Sequence, residues 1–191
     1  MVALASCHFF SGYRLDVEGI GSLLRERGIL FALDAIQTLG AFPLDVVRAN
    51  VDMLSADAHK WLLGPMAMGI VYVAERHFDR IRPTLLGAWN VNSPRFLAQD
   101  RVEFVPTAQR YEPGVLNAAG VYGMKASLEL LMEAGIDRVA SRLLELKRSL
   151  LGVLEPLGFD LLGVRDGMHA SGITTVFHPR VAASVLQKNL E

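Results

Sequence analysis

Residues 29–35 read Ile-Leu-Phe-Ala-Leu-Asp-Ala, an apolar run broken by a single acid. A run of that length without alternation suits a strand of a parallel sheet, covered on both faces. Residues 1–7 (MVALASC), 51–56 (VDMLSA) and 69–74 (GIVYVA) are runs of the same kind, the last introduced by Gly64, Pro65 and Gly69. Between the first two runs, Asp16 has the chemistry of a helix N-cap and Glu18 sits in the first turn, where the helix dipole favours an acid. Val17, Ile20, Leu23 and Leu24 recur at helical spacing, and Gly28 supplies a stop. Strand, helix, strand, crossover, strand, loop, strand is the grammar of an α/β fold.

Past residue 75 the signals change. Glu75 to Ile81 is expected to form a short helix ended by Pro83. Leu85 to Pro113 has no periodicity, and a loop of that length in a compact domain is usually functional or disordered. Helices are predicted over 118–134 and 137–154, the second N-capped by Asp137. Short strands follow at 159–162 and 173–177, with a last helix over 181–190. Hydrophobic residues make up 51% and charged residues 20% of the 191, which argues against disorder. The net charge of −1 leaves no basic footprint for nucleic acid. No apolar run approaches the roughly 20 residues needed to span a bilayer, and no signal peptide is visible. The lone cysteine, Cys7, excludes an internal disulfide, and the five scattered histidines suggest no metal site. A cytoplasmic setting is expected.

Two strand ends carry groups with chemistry. Asp34 closes its run, either as a plain cap on the following turn or as a carboxylate at the sheet edge where open α/β sheets bind ligands. Gln37, three residues on, offers an amide that donates and accepts. His59 and Lys60 follow the 51–56 run directly. A loop lysine is ordinarily solvated, but apolar residues flank Lys60 on both sides. A lysine enclosed in that way would be paired, neutral or covalently modified. Desolvation lowers its pKa and makes the amine nucleophilic. His59 reads either as a turn histidine or as part of the same site. Arg14 reads first as a solvated loop residue. Asp34 and Lys60 thus sit at the ends of successive parallel strands. A lysine plus an acid is the pair that pyridoxal 5′-phosphate requires, one for its aldehyde and one for its ring nitrogen.

The stretch LDAIQTLGAFPLD followed by VDMLSADAHKWLLGPMAMGIVYV resembles the class V aminotransferase family of fold-type I pyridoxal-phosphate enzymes. That family includes cysteine desulfurases, selenocysteine lyases, epimerase-like proteins and kynureninases. The resemblance continues through RYEPGVLNAAGVYGMKASLELL and ends in SGITTVFHP. It implies a partial large domain with a mostly parallel sheet over 1–135, a connecting helix over 136–157, and the start of a small α+β domain over 158–191. It also implies Lys60 as the Schiff-base lysine, Asp34 against the pyridine nitrogen and Gln37 near the phenolic oxygen. His59 is then expected near the phosphate and Asn117 in the cofactor segment. Asp57 is expected to point away from the phosphate or to orient His59. Trp89 resembles a Gly-Trp turn, either at the substrate entrance or as a loop anchor. Val115 stands where the family commonly has a phosphate-binding threonine.

The family's enzymes have about twice this many residues, so a truncated or split product is expected. The expected function is a transaminase, lyase or epimerase acting on an amino acid as a homodimer. Two other readings stand beside it. One is a non-catalytic remnant kept as a binding or dimerisation module. The other is an α/β enzyme using Lys60 without pyridoxal phosphate, against which the Asp34 and Gln37 pair argues.

Overall fold

The computed structural model describes residues 1–92 and 100–190; part of the long loop expected over 85–113 therefore lies outside the described residues. The predicted runs become β1 (Val2–Ala5), β2 (Phe31–Asp34), β3 (Met53–Asp57) and β4 (Gly69–Val73), each shorter than its run. They form one sheet in chain order. β1, β2 and β3 are parallel, with Ala5 opposite Asp34 and Asp34 opposite Ser55. β4 is antiparallel to β3. The link over residues 58–68 is a series of turns without a helix, and a parallel return needs a crossover of roughly a dozen residues or more.

Helix α1 (Val17–Glu26) begins where Asp16 accepts a hydrogen bond from the Gly19 amide at 2.9 Å. Such a cap contributes about 1 kcal/mol. α2 (Ala118–Ala134) and α3 (Ile136–Leu154) lie close to the expected spans. Asp137 is not the N-cap of α3; Gly135, at φ 78°, sits between the helices and no side chain caps α3. The helix expected over 75–81 is a single 3-10 turn, Glu75–His77. β5 (Asp160–Leu162) and β6 (Thr175–Phe177) make a separate antiparallel pair, and α4 (Ala183–Leu190) follows.

The core lies on one face of the four-stranded sheet. Phe31, Leu33, Leu54 and Ala56 pack there with Leu24 of α1 and with Met124 and Leu131 of α2. Fully burying a side chain such as Phe31 contributes about 2–3 kcal/mol. The expected cover on both faces is not found. Ala3, Ala5, Asp34, Ser55 and Val71 are exposed on the opposite face. The described helices that pack on the sheet all join the same core cluster, so no layer of described residues covers the other face.

Candidate active site

The carboxyl ends of β1, β2 and β3 are laced together by main-chain bonds. The Ser6 amide donates to Asp34 O and the Ala35 amide to Ser55 O, both at 2.8 Å. The Ser6 and Thr38 hydroxyls add a buried hydrogen bond of 2.7 Å. Asp34 therefore sits at a fixed edge. Its Oδ1 accepts from the Ile36 amide at 3.0 Å, and Oδ2 has no partner among the described residues. The turn-cap role expected of Asp34 is thus observed. Asp34 also borders a groove of about 390 Å³ on the bare face, floored by Ala3, Ala5, Ala32 and Ser55. These small side chains leave a shallow floor.

Two turns approach each other above this edge. The first carries Gln37, which is half-buried. The second runs from Ala58 to Gly64 and is closed by the Gly64 amide on Ala58 O at 2.8 Å. Gly40, at φ 94°, joins them: a Cβ there would come within 2.4 Å of Trp61 O. Only glycine combines that backbone with that approach. Trp61 in turn lies against Gly172, where a Cβ would meet its ring at 2.9 Å.

Lys60 and His59 are exposed, contrary to the enclosure expected from their apolar flanks. The turn divides those flanks. Ala58 and Leu62 enter the core and Trp61 turns towards Gly172, so none of them covers the lysine. The Lys60 amine has no hydrogen-bond or ion-pair partner among the described residues. His59 Nδ1 lies 3.9 Å from Asp57 Oδ2, so Asp57 is placed to orient His59. Asn117 caps α2, its Oδ1 accepting from the Gly120 amide at 3.1 Å, and its side-chain nitrogen has no partner among the described residues. No hydrogen bond joins Asp34, Gln37, His59, Lys60 or Asn117 to one another among the described residues. Trp89 is half exposed, and with Val115 and Leu116 it borders a recess of about 500 Å³.

Arg14 is not a solvated loop residue. Its Nε donates to Ala170 O at 3.1 Å, and its guanidinium lies 4.2 Å from the centre of the Phe42 ring. Burial lowers its pKa, with Cys7 opposing the shift. Arg14 belongs to a clamp that sequence reasoning missed. The Ser171 hydroxyl donates to Gly12 O at 2.7 Å, and the Arg14 amide donates to His169 O at 2.9 Å. The ammonium of Lys147, 2% exposed, donates to Ser171 O and Ile173 O. Lys147 stands four residues from both Leu143 and Leu151, a cation within an apolar stripe, and that spacing was the available signal.

The residues present fit pyridoxal phosphate as a donor set. Lys60 offers a free amine, Asp34 a free carboxylate oxygen, and the alanine floor a surface that a planar ring can lie over. The sequence profile of the family described as Aminotransferase class-V matches residues 1–191. A probable cysteine desulfurase of Pyrococcus abyssi is 27% identical over 178 residues, covering 91% of this chain and 44% of that protein. A kynureninase of Deinococcus radiodurans is 28% identical over 158 residues, covering 82% of this chain and 38% of that protein. The apo cysteine desulfurase of Thermococcus onnurineus NA1 superposes with a TM-score of 0.88 at 24% identity, over 98% of this chain and 47% of that one. The chain thus spans about half the length, or less, of the proteins it matches.

Proposed function

The chain belongs to the class-V aminotransferase family of pyridoxal-phosphate enzymes, and on that premise we propose that it is part of an amino-acid-transforming enzyme whose cofactor is held by Lys60. The observation that carries the proposal is the register. Asp34 and the Lys60 turn stand at the carboxyl ends of adjacent parallel strands, where α/β sheets bind ligands. Pyridoxal phosphate, when bound, supplies the electron sink that lets an amino acid lose a group from its Cα. This chain's residues do the rest. Lys60 would hold the aldehyde through its amine, and the same amine would serve as general base for the substrate Cα proton. Asp34 would hold the ring nitrogen protonated through its negative charge. Gln37 would donate to the phenolic oxygen, His59 would contact the phosphate, and Asn117 would belong to the cofactor-binding set. Transamination, β-elimination and epimerisation all begin with these steps.

The same reading divides the chain into a partial large domain (1–135), a connecting helix (136–157) and the start of a small domain (158–191). Among the described residues, no helix is long and apolar enough to cross a membrane. The near-neutral charge and single cysteine support a cytoplasmic enzyme with no nucleic-acid or membrane partner.

Titration with pyridoxal phosphate, followed by visible absorbance, tests the proposal. The wild type is expected to develop a saturable band. Asp34→Ala is expected to weaken binding by about tenfold or more, the worth of a charge-assisted hydrogen bond. A folded protein with no band, or one that Asp34→Ala leaves unchanged, would contradict it. The exposure of Lys60 and the bare face beside Asp34 favour a second reading, a non-catalytic binding or dimerisation module, and absence of a band would support that one.

A homodimer is part of the proposal. Leu85, Leu86, Trp89, Val115 and Leu116 expose apolar surface on neighbouring stretches of chain, with Val115 86% exposed. Apolar patches of this kind mark interaction surfaces. Sedimentation of the wild type is expected to show a dimer. The double variant Val115→Asp, Leu116→Asp is expected to sediment as a monomer with unchanged circular dichroism. A monomeric wild type would contradict this.

A further inference from the structure

The sheet has a second end, away from Lys60. Where β2 and β3 begin, a recess of about 300 Å³ is lined by Arg25, Arg76, Arg80, His77 and Asp52. Three guanidiniums face a single carboxylate, and that carboxylate is already engaged. Asp52 accepts from the Phe31 amide at 2.9 Å, from His77 Nε2 at 2.7 Å and from Arg76. Arg25 and Arg80 have no partner among the described residues. Four other exposed arginines, Arg48, Arg142, Arg148 and Arg165, are each paired with a carboxylate. Arg101 and Arg180 are likewise exposed without a carboxylate among the described residues, but Arg25 and Arg80 border one concavity together. The acids nearest in sequence, Glu26, Glu75 and Asp79, do not line the recess.

One feature works against an anion. α1 ends beside the recess, and a helix C-terminus carries about half a negative charge. Its last carbonyls are already bonded, Leu23 O by Arg27 Nη1 and Leu24 O by the Ile29 amide. The excess of two positive charges outweighs that dipole. Guanidiniums suit phosphate because their planar N–H pairs match two of its oxygens. The volume lies at the small end of ligand pockets.

We propose that this recess binds a small phosphate-bearing anion, through Arg25 and Arg80 together with Arg76. The site is separate from the edge that carries Asp34, and it stands whether or not Lys60 holds a cofactor. The test uses the 191-residue chain saturated with inorganic phosphate or with glycerol 3-phosphate, against chloride at equal ionic strength, read by amide NMR. Saturable shifts at Gly28 and Asn50, both bordering the recess, are expected, absent with chloride. Tighter binding of the ester would identify an esterified phosphate as the ligand, and tighter binding of the free ion would identify phosphate itself. The double variant Arg25→Ala, Arg80→Ala removes two unbonded side chains and should fold. It is expected to bind about tenfold or more weaker. Shifts confined to the Lys60 edge, no saturation in the wild type, or unchanged affinity in the double variant would overturn the proposal.

Discussion

Asp52→Ala is expected to lower the unfolding free energy by about 3 kcal/mol, near the lower end of what breaking a buried charged cluster costs. The estimate sits there because Arg76 is partly exposed, with 43% of its side chain accessible. Asp52 begins the link into β3 and bonds the first amide of β2, so it fixes the start of the two strands whose far ends carry Asp34 and Lys60. Its loss leaves the Phe31 amide without an acceptor and the His77 ring without its hydrogen bond to Asp52. The effect depends on pH in a stated direction. Burial pushes the Asp52 carboxyl up, but the Phe31 amide, His77 and Arg76 together hold it below the usual carboxylate value. A lowered folded-state pKa stabilises above the ordinary value of about 3.9, and the gain disappears as pH falls through the lowered one. Urea unfolding at neutral pH should show the full gap between wild type and Asp52→Ala, and the gap should shrink towards pH 2. A gap that is small at neutral pH would contradict this account of the sheet's fixed edge.

Lys147→Ala is expected to cost about 3 kcal/mol, from a cavity and from one buried and one partly buried carbonyl left unpaired. Lys147→Met fills most of that volume and should cost less. The ammonium ties α3 to the carbonyls of Ser171 and Ile173, and the Ser171 hydroxyl in turn holds the 8–14 loop through Gly12 O. Burial lowers its pKa, with the Cys7 thiol opposing the shift. The unfolded chain therefore binds the extra proton between the lowered value and about 10.4. In that window stability attributable to Lys147 rises with pH. The wild type should accordingly gain on Lys147→Met as pH rises through the window. Denaturation of the two proteins side by side checks this, and a difference that is flat or opposite in sign would contradict it.

The strands were legible because short apolar runs bounded by turn residues have few alternatives. Their one-sided cover was not. Ala3, Ala5 and Ala32 read as apolar wherever they point, so a half-covered strand and a buried one look alike. Asp34 and Lys60 were legible as groups at or just beyond strand ends, and β2 and β3 are parallel as expected. The exposure of Lys60 was not legible, because it depends on how one turn sends Ala58 and Leu62 inward. Arg14 and Lys147 were misjudged or passed over for a different reason. Their acceptors are carbonyls of a segment near residue 171, and for Arg14 the partner is 156 positions away. Local sequence carries no trace of such partners, though the Leu143, Lys147, Leu151 spacing hinted at one. Gly40 is similar, since its need for a positive φ arises from the approach of Trp61.

The central claim is that Lys60 is the residue that meets the cofactor. The chain has four lysines, which makes the claim simple to check. Lys147 is buried and bonded to carbonyls, and Lys125 is paired with Glu129 at 3.5 Å. Lys188 is exposed on α4, far along the chain from the carboxyl ends of the sheet strands. The protein would be saturated with pyridoxal phosphate, reduced with borohydride, digested and mapped by mass spectrometry. The account predicts that the modified peptide contains Lys60, at close to one label per chain, and that Lys60→Ala takes up almost none. Label spread over Lys125 and Lys188 as readily as Lys60, or a folded protein that takes none, would contradict it.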